Sequence, residues 1–192
     1  MWNIANALTV LRLALVPVFG WFLLDQGGHV PSQRYWAAAL FFVAMLTDRI
    51  DGDLARSRGL VTDFGKVVDP IADKALVTMA LGGLSILGDV PWWITVLILV
   101  REWGVTAMRF VVIRHGVMPA SRGGKVKTLL QALALFLFVL PLWTWPGADA
   151  WHAVAWVVLL LALAVTVATG IDYVGRAVTL RRTSPRAAMK RA

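Results

Sequence analysis

Six apolar blocks, each long enough to cross a lipid bilayer as a helix, fill most of this chain of 192 residues. They run over residues 5–25, 35–57, 67–88, 91–114, 128–146 and 150–177. Because a spanning helix needs about 20 mostly apolar residues, the pattern predicts an all-α integral membrane protein with six transmembrane helices. The blocks leave no room for a separate soluble domain, so we expect one membrane domain over residues 1–180 and a basic tail over residues 181–192.

Basic residues are concentrated in every second connection between these blocks and in the tail. The 56–66 and 114–127 connections and the tail are rich in Lys and Arg, whereas the opposite connections contain a single basic residue, Arg34. The positive-inside rule then places both termini in the cytoplasm, which predicts a multi-pass protein of the cell inner (plasma) membrane. The basic tail suits anionic lipid headgroups. We expect no nucleic-acid partner, because the chain has no soluble module to organise one.

Acidic residues are concentrated in one short segment. Six of the eleven lie between residues 48 and 73: Asp48, Asp51, Asp53, Asp63, Asp69 and Asp73. Carboxylates beside membrane-embedded helices are costly unless a cation neutralises them. The simplest compensation is a divalent metal held by oxygen ligands, and the absence of cysteine excludes thiolate ligands. The segment is therefore a candidate metal site.

The spacing of four of these aspartates supports that interpretation. Asp48 and Asp51 are three residues apart, and Asp69 and Asp73 are four apart, so each pair shares one helix face. If the two helices return antiparallel, four carboxylates converge and supply ligands for one or two Mg²⁺ or Mn²⁺ ions. A two-metal site suits displacement at phosphorus. The alternative for any single pair is a helix cap or a solvated charge.

Small residues and one arginine accompany the aspartates. Gly52 and Gly65 permit a ligand to approach the backbone closely. Ala55 places only a small side chain on the same helix face. The guanidinium of Arg56 offers several hydrogen-bond donors suited to phosphate oxygens. Together they indicate a metal-bound diphosphate lying against a helix. The alternative is that the small residues only allow helices to pack closely in the membrane.

These residues complete a pattern that resembles the signature of the CDP-alcohol phosphotransferases, D-x2-D-G-x2-A-R-x8-G-x3-D-x3-D. All eight positions are filled, by Asp48, Asp51, Gly52, Ala55, Arg56, Gly65, Asp69 and Asp73. The resemblance implies a fold with six transmembrane helices, a homodimer, and an active site that opens to the cytoplasm. It also implies two divalent ions, Mg²⁺ or Mn²⁺, as cofactors.

The resemblance also implies roles for the signature residues. Asp48, Asp51, Asp69 and Asp73 would bind the two metal ions, and Asp73 would serve as general base. CDP would be bound by Asp51, Gly52, Ala55, Arg56 and Gly65, with Arg56 on the diphosphate. An alcohol would attack the lipid-side phosphorus, and CMP would leave.

Two further segments are similar to stretches of the bacterial phosphatidylglycerophosphate synthases within this family. The first carries Asn3, Asn6, Leu8, Thr9 and Arg12, and the second carries Arg101, Glu102, Arg109, Ala120, Ser121, Gly124, Lys125, Lys127, Thr128 and Gln131. The resemblance implies transfer of a phosphatidyl group from CDP-diacylglycerol to glycerol 3-phosphate. Lysines at a helix N-terminus suit an anionic acceptor, so Arg101, Arg109, Lys125 and Lys127 are the candidates for its phosphate.

Several alternatives stay open on the sequence. Inositol phosphate or phosphatidylglycerol as the acceptor would require the same chemistry, and Lys125 and Lys127 would also satisfy the positive-inside rule without a ligand. A divalent-cation transporter is the rival of a different class, although it would spread polar residues across the membrane. A third alternative is a catalytically inactive homologue that acts as an assembly partner. The carboxylate of Asp172, in the last block, has either a function or a structural partner in Arg176.

Overall fold

Every regular element that the structure describes is a helix, as the sequence predicts. The computed structural model describes the backbone of residues 4–57, 63–112 and 122–183, and the side chains of residues 6–47, 68–108, 123–124 and 126–175. The six α-helices in this part of the chain are α1 (Ile4–Leu24), α2 (Pro31–Ser57), α3 (Asp63–Ile86), α4 (Trp92–Val112), α5 (Arg122–Val139) and α6 (Ala148–Thr183). Short 3₁₀ helices follow α1 (Asp25–Gly28) and α5 (Leu142–Thr144).

The helices follow the apolar blocks with one clear exception. The fifth apolar block predicts a helix to residue 146, but α5 ends at Val139. The reason is Pro141: a proline disfavours helical backbone at the preceding residue and cannot donate an amide hydrogen to the helix. The chain turns instead through the 3₁₀ helix Leu142–Thr144 before α6 begins.

Among the residues whose side chains the structure describes, two helical segments are long and apolar enough to cross a membrane, Asn6–Gly28 and Ala148–Gly175. Only 33% and 22% of the residues in their most apolar windows are buried, whereas the central helix of a soluble protein is mostly buried. This favours a membrane-associated protein. A shorter apolar helix runs over Val126–Val139, and six spans remain a prediction.

The chain divides into two compact units. The first comprises Met1–Thr95 and Leu135–Ala155, and the second comprises Val96–Ala134 and Trp156–Ala192. Within the first unit α1 packs on both α2 and α3. Fully buried side chains such as Phe19 and Phe41, whose ring centroids lie 5.6 Å apart, form its interior.

Glycines bring α1 and α3 unusually close together. A Cβ atom at Gly20 would lie 2.8 Å from Sδ of Met79, and one at Gly83 would lie 2.6 Å from a methyl carbon of Leu23. Both distances are shorter than van der Waals contact allows, so larger residues at these positions would force the side chains of Met79 and Leu23 to shift. The close approach fixes the position of α1 relative to the helix that carries Asp69 and Asp73.

A buried arginine ties the connections of the first unit together. Arg34 is 2% exposed; its Nε donates to the carbonyl oxygen of Gly28 at 3.0 Å, and its Nη1 donates to that of Phe138 at 3.3 Å. Its Nη2 pairs with the carboxylate of Asp89, and its guanidinium carbon lies 5.2 Å from the centre of the Trp143 ring. The carbonyl of Phe138 lies in the last turn of α5, where no intrahelical donor is available. Arg34 therefore joins the segment after α1, the last turn of α5 and the connection between α3 and α4.

Candidate active site

The aspartates of this segment whose side chains the structure describes, Asp69 and Asp73, lie on α3. Asp69 and Asp73 are one helical turn apart and share a face of that helix. Asp69 is exposed, and the side chain of Asp73 is 42% exposed. Lys74 Nζ lies 3.1 Å from Asp73 Oδ2 and supplies a positive charge beside that carboxylate. Both carboxylates are thus accessible to a ligand from solution.

A hydroxyl group from another helix contacts the first of these carboxylates. Thr9, on α1, is 1% exposed, and its Oγ1 donates a hydrogen bond to Asp69 Oδ1 at 2.5 Å. Its neighbours on the same face of α1, Asn6 and Arg12, are also buried. The polar residues that stood out near the start of the sequence therefore face the interior of the first unit.

The remaining signature residues lie on helical backbone, but their side chains fall outside the described part of the structure. The last turns of α2 carry Asp48, Asp51, Gly52, Ala55 and Arg56, and the first turn of α3 carries Gly65. Because α2 is continuous through these positions, Asp48 and Asp51 share a helix face, as the spacing predicts. Convergence of all four carboxylates remains a prediction.

The donor set is chemically suited to the metals that the signature implies. Asp69 and Asp73 present hard carboxylate oxygens, which are the ligands that Mg²⁺ and Mn²⁺ prefer. Among the side chains that the structure describes, no group of three or more His, Cys, Asp or Glu residues comes together. A complete coordination sphere would therefore need the α2 aspartates in addition to the α3 pair.

A second cluster of charged groups is buried in the second unit. Glu102, on α4, is paired with the ammonium group of Lys127 on α5, and its Oε1 lies 3.2 Å from Arg101 Nη1. The three side chains are between 4% and 13% exposed. Charged residues inside membrane helices are expected to face protein or a water-filled cleft, and the burial of this cluster meets that expectation.

The guanidinium of Arg101 is held by α6 as well. Its Nη2 donates to Thr169 Oγ1 at 2.9 Å. The next residue is Gly170, where a Cβ atom would lie 3.2 Å from Arg101 Cγ. A larger residue at that position would therefore force the arginine side chain to shift. Nothing in the sequence around Thr169 and Gly170 indicates that these two residues contact a charged side chain.

The other acceptor-site candidates are described only in part. Arg109 lies on α4 and Lys125 on α5, but both side chains are outside the described residues. Gln131, one turn after Lys127, is 3% exposed, and its Oε1 has no hydrogen-bond partner in the described structure. Asp172 is exposed on α6, and the side chain of Arg176, its suggested partner, lies outside the described residues.

Comparison with known proteins assigns the chain to a family. The model of the CDP-alcohol phosphatidyltransferase family matches residues 2–168. A probable phosphatidylglycerophosphate synthase of Mycobacterium tuberculosis is 57% identical over 175 residues, which cover 91% of this chain and 81% of that protein. A CDP-diacylglycerol–glycerol-3-phosphate 3-phosphatidyltransferase of Bacillus subtilis is 38% identical, covering 90% and 94%.

A more distant relative carries a different name. The cardiolipin synthase (CMP-forming) of Streptomyces coelicolor is 33% identical over 139 residues, which cover 70% of this chain and 65% of that protein. All of these similarities extend well beyond the aspartate signature, and the family model covers most of the chain. The chain therefore belongs to the CDP-alcohol phosphatidyltransferase family.

Proposed function

We propose that this protein transfers the phosphatidyl group of CDP-diacylglycerol to sn-glycerol 3-phosphate, forming phosphatidylglycerophosphate and CMP in phospholipid biosynthesis. The observation that carries the choice of acceptor is the 57% identity, over 91% of the chain, to a protein named as a probable phosphatidylglycerophosphate synthase. The 38% identical Bacillus subtilis protein, whose name states this reaction, supports the same choice.

The donor lipid would bind at the aspartate signature. Asp48, Asp51, Asp69 and Asp73 would hold two divalent ions, Mg²⁺ or Mn²⁺. When bound, these ions would neutralise charge on the diphosphate and stabilise the attacking and leaving oxygens. Gly52, Ala55 and Gly65 would let the CDP portion approach the helix backbone, and Arg56 would donate to diphosphate oxygens.

The residue proposed to move a proton is Asp73. The acceptor hydroxyl oxygen forms a bond to the lipid-side phosphorus, the bond from that phosphorus to the oxygen of CMP breaks, and the hydroxyl proton passes to the Asp73 carboxylate. Lys74 Nζ, 3.1 Å from Asp73 Oδ2, lies beside the carboxylate that would take up this proton. The partial exposure of Asp73 leaves room for the acceptor to approach.

The acceptor phosphate would be bound by basic side chains of α4 and α5. Arg101, Arg109, Lys125 and Lys127 are the proposed ligands, and two of them, Arg101 and Lys127, already share the Glu102 carboxylate in a buried cluster. A cationic group that is held in place before binding loses less side-chain freedom when the ligand arrives. Burial also strengthens its attraction for an anion.

The same proposal includes a membrane arrangement. Six helices would span the inner (plasma) membrane with both termini and the active site on the cytoplasmic side, and two copies would form a homodimer. Support comes from the two apolar spans and from the basic residues of the 56–66 and 114–127 connections. Exposed tryptophans at helix starts, including Trp36, Trp92 and Trp93, suit the opposite membrane interface.

The acceptor is tested by supplying one candidate per reaction. Purified protein in detergent receives CDP-diacylglycerol, Mg²⁺ or Mn²⁺, and glycerol 3-phosphate, inositol phosphate or phosphatidylglycerol, and CMP release is measured. We expect CMP with glycerol 3-phosphate alone. CMP only with phosphatidylglycerol would favour the activity named for the Streptomyces coelicolor relative. Metal flux into proteoliposomes, with no CMP from any reaction, would favour the transporter alternative.

A further inference from the structure

The hydrogen bond between Thr9 and Asp69 joins two helices at the edge of the proposed metal site. Thr9 lies on α1, 60 residues before Asp69 in the chain, and its side chain is 1% exposed. Its Oγ1 donates to Asp69 Oδ1 at 2.5 Å, which is at the short end of the range for a hydroxyl–carboxylate bond. A buried hydroxyl in a short bond to a carboxylate restricts how that carboxylate can rotate.

We propose that Thr9 is a positioning residue for the metal centre: its hydroxyl fixes the orientation of the Asp69 carboxylate so that Oδ2 points to a divalent cation. This inference rests on the proposed role of Asp69 as a metal ligand. In this role Thr9 is not itself a metal ligand. It acts only through the carboxylate that accepts its hydrogen bond.

The physical reason is the geometry of a carboxylate that binds a metal. An unrestrained aspartate samples several side-chain rotamers, and holding it in one of them costs free energy when the metal binds. A hydrogen bond to Oδ1 holds the Asp69 side chain in one rotamer before the metal binds. It leaves Oδ2 available as the oxygen that binds the metal. Residues of this kind contact a metal-binding side chain and not the metal itself. Removing one typically weakens metal affinity by about 10–100-fold.

The packing of α1 against α3 keeps the hydroxyl in place. The two helices touch closely at Gly20 and Gly83, where a Cβ atom would lie under 3 Å from the side chains of Met79 and Leu23. Thr9 lies about three turns before Gly20 on the same helix. Because α1 is held against α3 along its length, the Thr9 hydroxyl stays within reach of Asp69.

The test is a Mn²⁺ titration followed by the electron paramagnetic resonance signal of free Mn²⁺, on purified protein in detergent without substrates. Thr9→Val keeps the shape of the side chain and removes the hydroxyl, and Thr9→Ser keeps the hydroxyl. Thr78→Val is the matched control, because it makes the same change on α3 at a buried hydroxyl that has no hydrogen-bond partner in the described structure. Asp69→Asn reports on the metal site itself.

We expect Thr9→Val to raise the dissociation constant for Mn²⁺ about 10–100-fold, while Thr9→Ser and Thr78→Val stay close to wild type. Should Thr9→Val give too little folded protein, Thr9→Ala supplies the same comparison. Weakened binding in Asp69→Asn with unchanged binding in Thr9→Val would overturn the Thr9 inference alone. Unchanged binding in Asp69→Asn would overturn the proposed metal ligand as well. Equal weakening by Thr9→Val and Thr78→Val would show a general packing effect and also overturn the inference.

Discussion

The carboxylate of Glu102 on α4 is paired with the ammonium group of Lys127 on α5, and the two side chains are only 5% and 4% exposed. Moving both charges out of water costs several kcal/mol per ion, which a good pairing geometry offsets. Removing Glu102 leaves the Lys127 ammonium group buried without this carboxylate. The pair therefore links α4 to α5 within the second unit and holds Lys127 in a defined place.

Double substitution should reveal the coupling between these two residues. Glu102→Gln alone should lower the free energy of unfolding by about 3–5 kcal/mol, because it leaves a buried ammonium group without its carboxylate. Glu102→Gln combined with Lys127→Met should lose less than the sum of the single substitutions, because the ammonium group is removed together with its carboxylate and, of this cluster, only Arg101 then lacks that carboxylate. Unfolding in mixed micelles measures the two single variants, their combination and Glu102→Asp. Strict additivity would contradict the pairing, and Glu102→Asp, which keeps the charge, should lie between wild type and Glu102→Gln.

Loss of either described signature carboxylate should abolish most of the activity. Asp69→Asn and Asp73→Asn should each lower kcat by about 100-fold or more, the scale observed when a group that stabilises transition-state charge is removed. CMP release from CDP-diacylglycerol measures the effect. Asp149→Asn makes the same chemical change at an exposed residue in the first turn of α6 and should stay near wild type. Full activity in folded, membrane-inserted Asp69→Asn and Asp73→Asn would contradict the proposed chemistry.

Arg34 should matter for stability and not for substrate affinity. Arg34→Lys keeps the charge but cannot reproduce a guanidinium fork that serves Gly28, Phe138 and Asp89 at once. We expect the free energy of unfolding to fall by about 1.5–3 kcal/mol, the range for hydrogen bonds to charged groups. Thermal unfolding measures it. Asp89→Asn leaves the buried guanidinium without this counter-charge and should also lower the melting temperature; an unchanged melting temperature for Arg34→Lys would contradict this role.

The proposed topology can be tested with single cysteines, because the chain has none of its own. Ser32→Cys, an exposed position near the start of α2, should react with a membrane-impermeant maleimide in intact cells. Ser184→Cys, in the basic tail, should react only after the membrane is permeabilised. The reversed pattern would place the termini outside, and labelling of both positions in intact cells would rule out the proposed arrangement of spans.

The sequence predicted the helices well because apolar block length is a strong signal, and it failed where one local residue overrode that signal. Pro141 ends α5 at Val139 although the surrounding composition stays apolar. Hydrophobic periodicity and block length do not change when one residue, Pro141, lacks an amide hydrogen, so these two measures could not locate the end of the helix. The spacing of Asp69 and Asp73 likewise indicated a shared helix face, because that inference needs only the geometry of one helix.

Contacts between distant segments were not predictable in the same way. The hydrogen bond from Thr9 to Asp69 and the pairing of Lys127 with Glu102 depend on which helices pack together and at what rotation. In the sequence, Arg34 stands out only because it is the single Lys or Arg in the connections 25–34, 87–92 and 145–151. Its three partners come from separate parts of the chain, so no local pattern could have identified them.

The most direct test of the proposed function is to identify the lipid product formed when the acceptors compete. Purified protein in detergent receives CDP-diacylglycerol, Mg²⁺ and a mixture of ¹³C-labelled glycerol 3-phosphate, inositol phosphate and phosphatidylglycerol, and mass spectrometry follows the lipids while CMP is quantified. We predict ¹³C-labelled phosphatidylglycerophosphate and CMP in equal amounts, with no product from the other acceptors. CMP accompanied by a different lipid, with no label in phosphatidylglycerophosphate, would contradict the proposal.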